Sequence, residues 1–327
     1  MYYTKTLSVS RHKVYTTTKA CLFIFSVLSC SLVAAQTDID AIMMNKNQFC
    51  NGLMYNYSSW DHYWEGTHKR TNENLGAVTT QSVMYGANYG ITSKLNVMIG
   101  APYVATKSSA GTLHSSRGIQ DVSLFVKWKP ITYSFGKNKL SVFLIGGFST
   151  PLTNYQIDYL PLTIGLGSTN EIARGMLDFQ HRRFTVTASA TYLRRSNVKI
   201  DRTAYFDTRM HLTNEVEMPD AAQYQLRTGW RGKYLLAEAL VTNWITLGGF
   251  DITRNNMPFP SNRMNMTTVG ASFKYTLKQY THLSLLAGAN YTVAGRNVGQ
   301  GTAFNVGAFY AFYFKNKRNQ NINAKTN

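Results

Sequence analysis

Beyond its first 35 residues the chain contains no run of eighteen consecutive apolar residues, which excludes membrane-crossing helices for that part. Charge is scarce as well. Charged residues make up 15% of the chain, below the roughly 25% typical of soluble proteins, and acids are the rarer sign, with 16 Asp and Glu against 34 Lys and Arg. Of three cysteines, Cys21 and Cys30 fall in the N-terminal segment, so Cys50 stands alone. A disulfide framework and a cysteine metal site are thereby excluded. No HExxH, phosphate-binding loop or GxSxG motif is present, and the seven histidines are scattered. Asp38-Ile39-Asp40 is too short a carboxylate pair for a calcium loop, and Gly165-Leu166-Gly167 lacks the third glycine of a dinucleotide turn. These absences predict no metal, no cofactor and no enzyme activity.

What is there begins with an address. Lys5, Arg11, Lys13 and Lys19 precede the uncharged apolar run ACLFIFSVLSCSLVAA at 20–35, which ends in small residues. This is the pattern of a cleaved signal peptide over 1–35, leaving Gln36 as the first mature residue. The run is shorter than the ~20 residues a bilayer-spanning helix needs, so an anchor is disfavoured. The signal carries four basic residues and no acid, so the formal charge of +18 falls to +14 on cleavage.

The remaining chain alternates with period two. Val269, Ala271, Phe273 and Tyr275 share one face, opposite Gly270, Ser272, Lys274 and Thr276. Leu283, Leu285, Ala287, Ala289 and Tyr291 repeat the pattern, as do Phe304, Val306, Ala308, Tyr310 and Phe312. The second face is small, polar or charged, and includes Lys127, Arg174, Asp178, Arg227, Glu238 and Lys274. Strands that are apolar outward and polar inward mark a transmembrane barrel. About twelve such segments occur, near 50–63, 76–91, 94–106, 119–130, 138–149, 170–180, 183–195, 221–231, 234–245, 265–277, 281–294 and 302–314. Short turns alternate with longer connections at 64–75, 107–118, 150–169, 196–220, 246–264 and 295–301. That rhythm belongs to an antiparallel up-and-down outer-membrane barrel with short periplasmic turns, and a Greek-key sandwich gives no reason for it. Aromatics near strand ends (Tyr89, Tyr103, Trp128, Phe148, Phe179, Phe184, Trp230, Tyr275, Tyr291) fit interfacial girdles. The expected organisation is all-β: a signal peptide at 1–35, a leader or short plug at 36–49, the barrel at 50–314 and a polar tail at 315–327. The leader, with its Ile42-Met43-Met44 cluster, is either a plug or a floppy segment.

The excess positive charge fits an anion-preferring lumen or contact with lipopolysaccharide phosphates, while nucleic acid is no partner for an exported protein. Inward charges either pair, as Arg174 with Asp178 and Arg227 with Glu238, or set selectivity. Loop 246–264 is stiffened by Pro258 and Pro260 and presents Phe250, Asp251, Arg254, Met257, Phe259 and Arg263, either as a lid or constriction over the lumen or as a packed surface loop.

The hairpin GITSKLNVMIGAPYV at 90–104, followed by GIQDVSLFVKWKP at 118–130, resembles the outer-membrane transporters named for the meta-pathway of phenol degradation, relatives of the FadL-like channels. The resemblance rests on Gly90, Leu95, Val97, Pro102, Tyr103, Gly118, Asp121 and Val122. The block at 247–265 resembles barrel proteins of Bacteroidetes-type bacteria. The resemblance implies a barrel channel for passive uptake of small hydrophobic or aromatic compounds, embedded in outer-membrane lipid and lipopolysaccharide. Too few residues precede the first strand for the full hatch of a fatty-acid channel. A non-transporting surface, adhesion or assembly component and a membrane-embedded hydrolase remain as alternatives. The sequence does not name the solute or the oligomeric state.

Overall fold

The computed structural model describes residues 37–252 and 257–314. The expected signal segment, the expected polar tail and Arg254 lie outside the described residues. Twelve long strands, numbered β1 to β12 in chain order, run Gln48–Trp60, Val78–Gly90, Leu95–Ser108, Asp121–Phe135, Asn138–Pro151, Asn170–His181, Phe184–Arg195, Ala221–Arg231, Leu235–Thr246, Asn265–Thr276, Leu283–Arg296 and Thr302–Tyr313. Each pairs antiparallel with the next, and β12 returns to β1 from Gln48↔Tyr313 to Ser59↔Thr302. Closure leaves no unpaired edge, so every backbone amide at membrane depth finds a partner in the wall.

The alternation decides which face meets lipid. In β12, Phe304, Val306 and Tyr310 are about half exposed on the outside, while Phe309 and Ala311 are buried inside. The same outward rows hold Leu53, Tyr85, Leu124, Leu144, Leu177 and Leu226. Each such side chain gains roughly 1.5–3 kcal/mol by leaving water. A soluble protein would leave this surface facing water, whereas an outer-membrane barrel turns it to hydrocarbon.

Each observed strand end lies within three residues of the expected one, except at β4. The expected segment stops at 130, whereas β4 runs on to Phe135. The strand passes the proline in a bulge, where the register slips between Trp128 and Ile131. The extra residue keeps Ile131, Tyr133 and Phe135 on the exposed outer face. The connections also depart from strict alternation of length. The link between β11 and β12 is 297–301, shorter than the 277–282 turn between β10 and β11. Several long loops carry structure of their own, including the hairpin His62–Glu65 with His68–Thr71 and the pairs Val198–Lys199 with Glu215–Val216 and Tyr205–Phe206 with Met210–His211.

Candidate functional site

The described part of the leader packs against the inner face of the barrel wall. Asn47 adopts φ 61°, which turns the chain at the rim, and its amide donates to the Gly90 carbonyl at 2.7 Å. A Cβ on Gly90 would lie 2.0 Å from the Asn45 carbonyl oxygen, so glycine is required where leader and wall meet. Asn45 also donates from its side chain to the Tyr313 hydroxyl at 2.8 Å. From this anchor the leader runs into the barrel. Met44 is fully buried against Cys50, Phe309 and Ala311, and Ala41 and Met43 pack with Phe143, Ile145 and Met176.

Two carboxylates clamp the leader to two wall cations. Lys127 is fully buried; its Nζ donates to the Asp40 carboxylate at 3.1 Å, to the Thr37 carbonyl at 3.0 Å and to the Asp40 carbonyl. The same carboxylate accepts the Thr37 amide at 2.7 Å, the Thr37 hydroxyl at 2.9 Å and the Ile42 amide at 3.0 Å. Arg174 donates from Nη1 to the Asp38 carbonyl and carboxylate, both at 3.0 Å, and from Nε to the Thr191 hydroxyl at 2.7 Å. A carboxylate held by several donors is satisfied even where water is excluded.

A second network lies nearer the short-turn end of the wall. Glu238 accepts Arg227 Nε at 2.9 Å and Nη2 at 2.6 Å. Asp178 accepts both terminal nitrogens of Arg231, at 3.1 and 3.2 Å, and the Thr187 hydroxyl at 2.7 Å. The expected Arg227–Glu238 pair therefore exists. The expected Arg174–Asp178 pair does not, because the leader reaches Arg174 first and Asp178 turns to Arg231. All six inward charges, Lys274 included, are buried inside the barrel. The sequence reading missed Asp38, Asp40 and Arg231. The available signal was that the leader of an acid-poor chain carries two acids in three residues.

Between the leader and the wall of β1 to β4 lies a cavity of about 430 Å³. Its walls include Ile39 from the leader and Met54, Met84, Met98, Phe125 and Phe309 from the barrel. Met54 pairs across the sheet with Met84, and Met84 with Pro102. Gly52, Gly86 and Gly100 form a row in register over the same strands. A Cβ on Gly52 would lie 2.7 Å from the Phe309 ring, so this row makes the space into which the ring and the cavity fit. Polarizable thioethers adapt to irregular apolar guests and contact aromatic rings favourably. Gln120, Asp121 and Ser149 supply polar groups in the same cavity.

The outer mouth is covered by the long loops. Leu162 is fully buried against Leu75 and Val78, and its carbonyl accepts the Thr106 hydroxyl at 2.5 Å. Of the loop 246–264 candidates, Phe250 and Phe259 pack together at 6.2 Å, and Phe259 stacks on Tyr205 at 5.3 Å. Asp251 accepts Arg296 Nε at 2.8 Å and Nη2 at 2.5 Å, and the Asn297 side chain at 2.7 Å. Those hydrogen bonds, Arg296 first, hold its carboxyl down at about 2 despite partial desolvation. Arg263 donates to the Gly248 carbonyl at 3.4 Å. Asn297 is the hub: its side-chain oxygen accepts the Gly66 and Ile252 amides at 2.8 and 3.1 Å, and its nitrogen donates to the Arg263 carbonyl at 2.8 Å. Of the described candidates, Met257 alone faces an apolar recess, a pocket of about 400 Å³ that it lines with Trp60, Tyr63 and Leu113. The described part of the loop is thus packed on its neighbours, and Asp251 and Arg263 serve that packing.

Comparison with known proteins agrees with this architecture. The barrel matches the crystal structure of an outer-membrane channel from Pseudomonas putida F1 with TM-score 0.65 at 14% identity, covering 85% of this chain and 100% of that one. Looser matches include the translocator domain of the autotransporter NalP from Neisseria meningitidis, with TM-score 0.44, 11% identity and coverage of 84% and 90%, and the TodX monoaromatic hydrocarbon channel, with TM-score 0.39, 10% identity and coverage of 83% and 91%. No curated protein sequence matches the chain. A sequence profile of the family described as "Putative MetA-pathway of phenol degradation" matches residues 65–307. Since that profile spans most of the chain, the protein belongs to this family, as an outer-membrane β-barrel.

Proposed function

We propose that the barrel is a channel for passive uptake of small hydrophobic or aromatic compounds, with the thioether-lined cavity beside the plug as its solute site. The observation that carries this reading is the cavity itself. A water-filled porin lumen is lined with polar groups, whereas here Met54, Met84, Met98 and Phe309 face inward from adjacent strands. Apolar pockets with a few polar groups are the usual form of small-molecule sites. Family membership and the fold of the Pseudomonas putida channel support the same reading. The clamped plug makes passage a gated event: solute enters beside Ile39, and the leader must shift from Lys127 and Arg174 for it to leave toward the periplasm. Soaking crystals in bromobenzene tests the site. An anomalous bromine peak beside Met84 and Phe309 is expected; bromine found only on the outer wall sinks the assignment.

One observation favours a second reading, a surface component that meets a partner. The hairpin of loop 196–220 exposes Phe206, Met210 and Leu212, the last 87% exposed. Unchanged solute uptake on deleting the tip, together with loss of a cell-surface contact, would support it.

A further inference from the structure

The excess positive charge of the described residues has a definite place in the barrel. At the loop end, the described residues of 61–77, 107–121, 152–171, 194–220, 247–264 and 296–301 include eleven basic and twelve acidic residues. Several are joined in pairs, such as Arg70–Glu65, Arg202–Asp158 and Arg296–Asp251. Inside the barrel the clamp and the Arg227–Glu238–Arg231–Asp178 network nearly cancel as well. The short-turn end is different. Lys94, Lys137, Arg182, Arg183, Lys233 and Lys278 lie on the five turns, all exposed, and no turn contains an acid. Lys46 and Lys139 add two more exposed cations at the same rim. Among the described residues none of these eight has a carboxylate within salt-bridge distance.

We propose that this rim is an interaction surface for the anionic headgroups of phospholipids in the periplasmic leaflet of the outer membrane. Charge complementarity identifies the chemistry: clustered Lys and Arg without counter-charges attract a phosphate-bearing surface. The depth of the rim identifies the source. Arg183 lies 5.6 Å from the Trp230 ring centre and Lys233 lies 5.1 Å from that of Tyr234. Trp230 is half exposed on the outer wall, as are Phe184, Tyr275 and Phe135 near the same strand ends. Such rings sit at the membrane interface, so cations laid against them are held at headgroup level with their stems along apolar surface. The turns between β4 and β5 and between β6 and β7 are residues 136–137 and 182–183, too short to carry their charges beyond that layer to the cell wall.

Quenching of tryptophan fluorescence by brominated lipids tests this. The full barrel is refolded into phosphatidylcholine vesicles doped with brominated phosphatidylglycerol or brominated phosphatidylcholine. Stronger quenching by the glycerol lipid is expected. Its preference is expected to fall about tenfold in the variant Lys137→Gln, Arg182→Gln, Arg183→Gln, Lys233→Gln. The control Arg202→Gln, Arg209→Gln at the opposite end is expected to keep it, and the heat-modifiable gel shift verifies that both variants fold. Equal quenching by the two lipids in the wild-type barrel overturns the proposal. So does cosedimentation with purified peptidoglycan that the four substitutions abolish in the absence of lipid selectivity.

Discussion

Replacing Asp40 with Asn should loosen the plug without altering the wall. The substitution keeps the side-chain shape and one acceptor, but it strands the Lys127 ammonium, which is fully buried. Removing one partner of a buried pair costs about 3–5 kcal/mol in general. Here the carbonyl oxygens of Thr37 and Asp40 stay on Nζ, so part of the penalty is offset. We take about 2–3 kcal/mol, which shifts the equilibrium toward the released leader by about 30- to 150-fold. The assay is single-channel recording in planar bilayers, read as the frequency of transient openings. Cleavage of the leader by a protease added on the turn side provides a second readout. Adding Lys127→Met removes the stranded charge and should recover much of the closed population, as a coupled pair requires. If Asp40→Asn folds normally and both opening frequency and protease protection stay at the wild-type level, the ion clamp does not hold the plug.

Other outcomes follow from the same geometry. Gly90→Val should displace the leader at the rim, because any Cβ there meets the Asn45 carbonyl, and its openings should resemble those of Asp40→Asn. The Asp251 staple should weaken in acid. Its carboxyl sits near 2 in the folded loops against an ordinary 3.8, so its contribution is present above pH 4 and is lost as pH falls toward 2; hydrogen exchange across 247–252 and 296–301 should rise over that window and not at neutral pH. Glu238→Gln should destabilise the barrel more than Glu171→Gln, since the former leaves buried Arg227 without its anion while the latter loses an exposed pair, and urea unfolding midpoints compare them. Lys274→Glu should shift ion selectivity toward cations in bilayer recordings if lumenal charge governs passage; unchanged reversal potentials would remove lumenal charge from the account.

The barrel was legible in the sequence because its constraint is local. Each residue's face is fixed by parity, so Phe304, Val306 and Tyr310 declare the lipid side without reference to distant partners. The expected end of β4 at 130 fell short where a bulge resets parity between Trp128 and Ile131, one of two register shifts among the described long strands, since a bulge is a property of two strands together. The inward charges were legible as inward but only half legible as pairs. Arg227 and Glu238 meet on neighbouring strands in a register that parity permits, while Arg174 is taken by Asp38, separated from it by 136 residues. The local trace that the leader folds back into the barrel is slight: two acids, Asp38 and Asp40, within three residues. The loop 246–264 candidates had the composition of a binding lid, yet Asp251, Arg263 and both phenylalanines are spent on loop packing, organised by Asn297, a residue with no local signature of that role. The cavity left a faint trace: methionines at Met54, Met84 and Met98 occupy inward positions where Gly, Ser, Thr and Asn are otherwise the rule.

The central claim, that apolar solutes pass through the thioether-lined cavity, is tested most directly by whole-cell uptake of a radiolabelled monoaromatic hydrocarbon across an intact lipopolysaccharide layer, comparing wild type with Met84→Asp at matched barrel levels. The account predicts faster initial uptake with the wild-type barrel than without it, and a fall to the barrel-free rate in Met84→Asp, where a carboxylate replaces a cavity thioether. Equal uptake by wild type and Met84→Asp, both above the barrel-free rate, would contradict it and route the solute elsewhere.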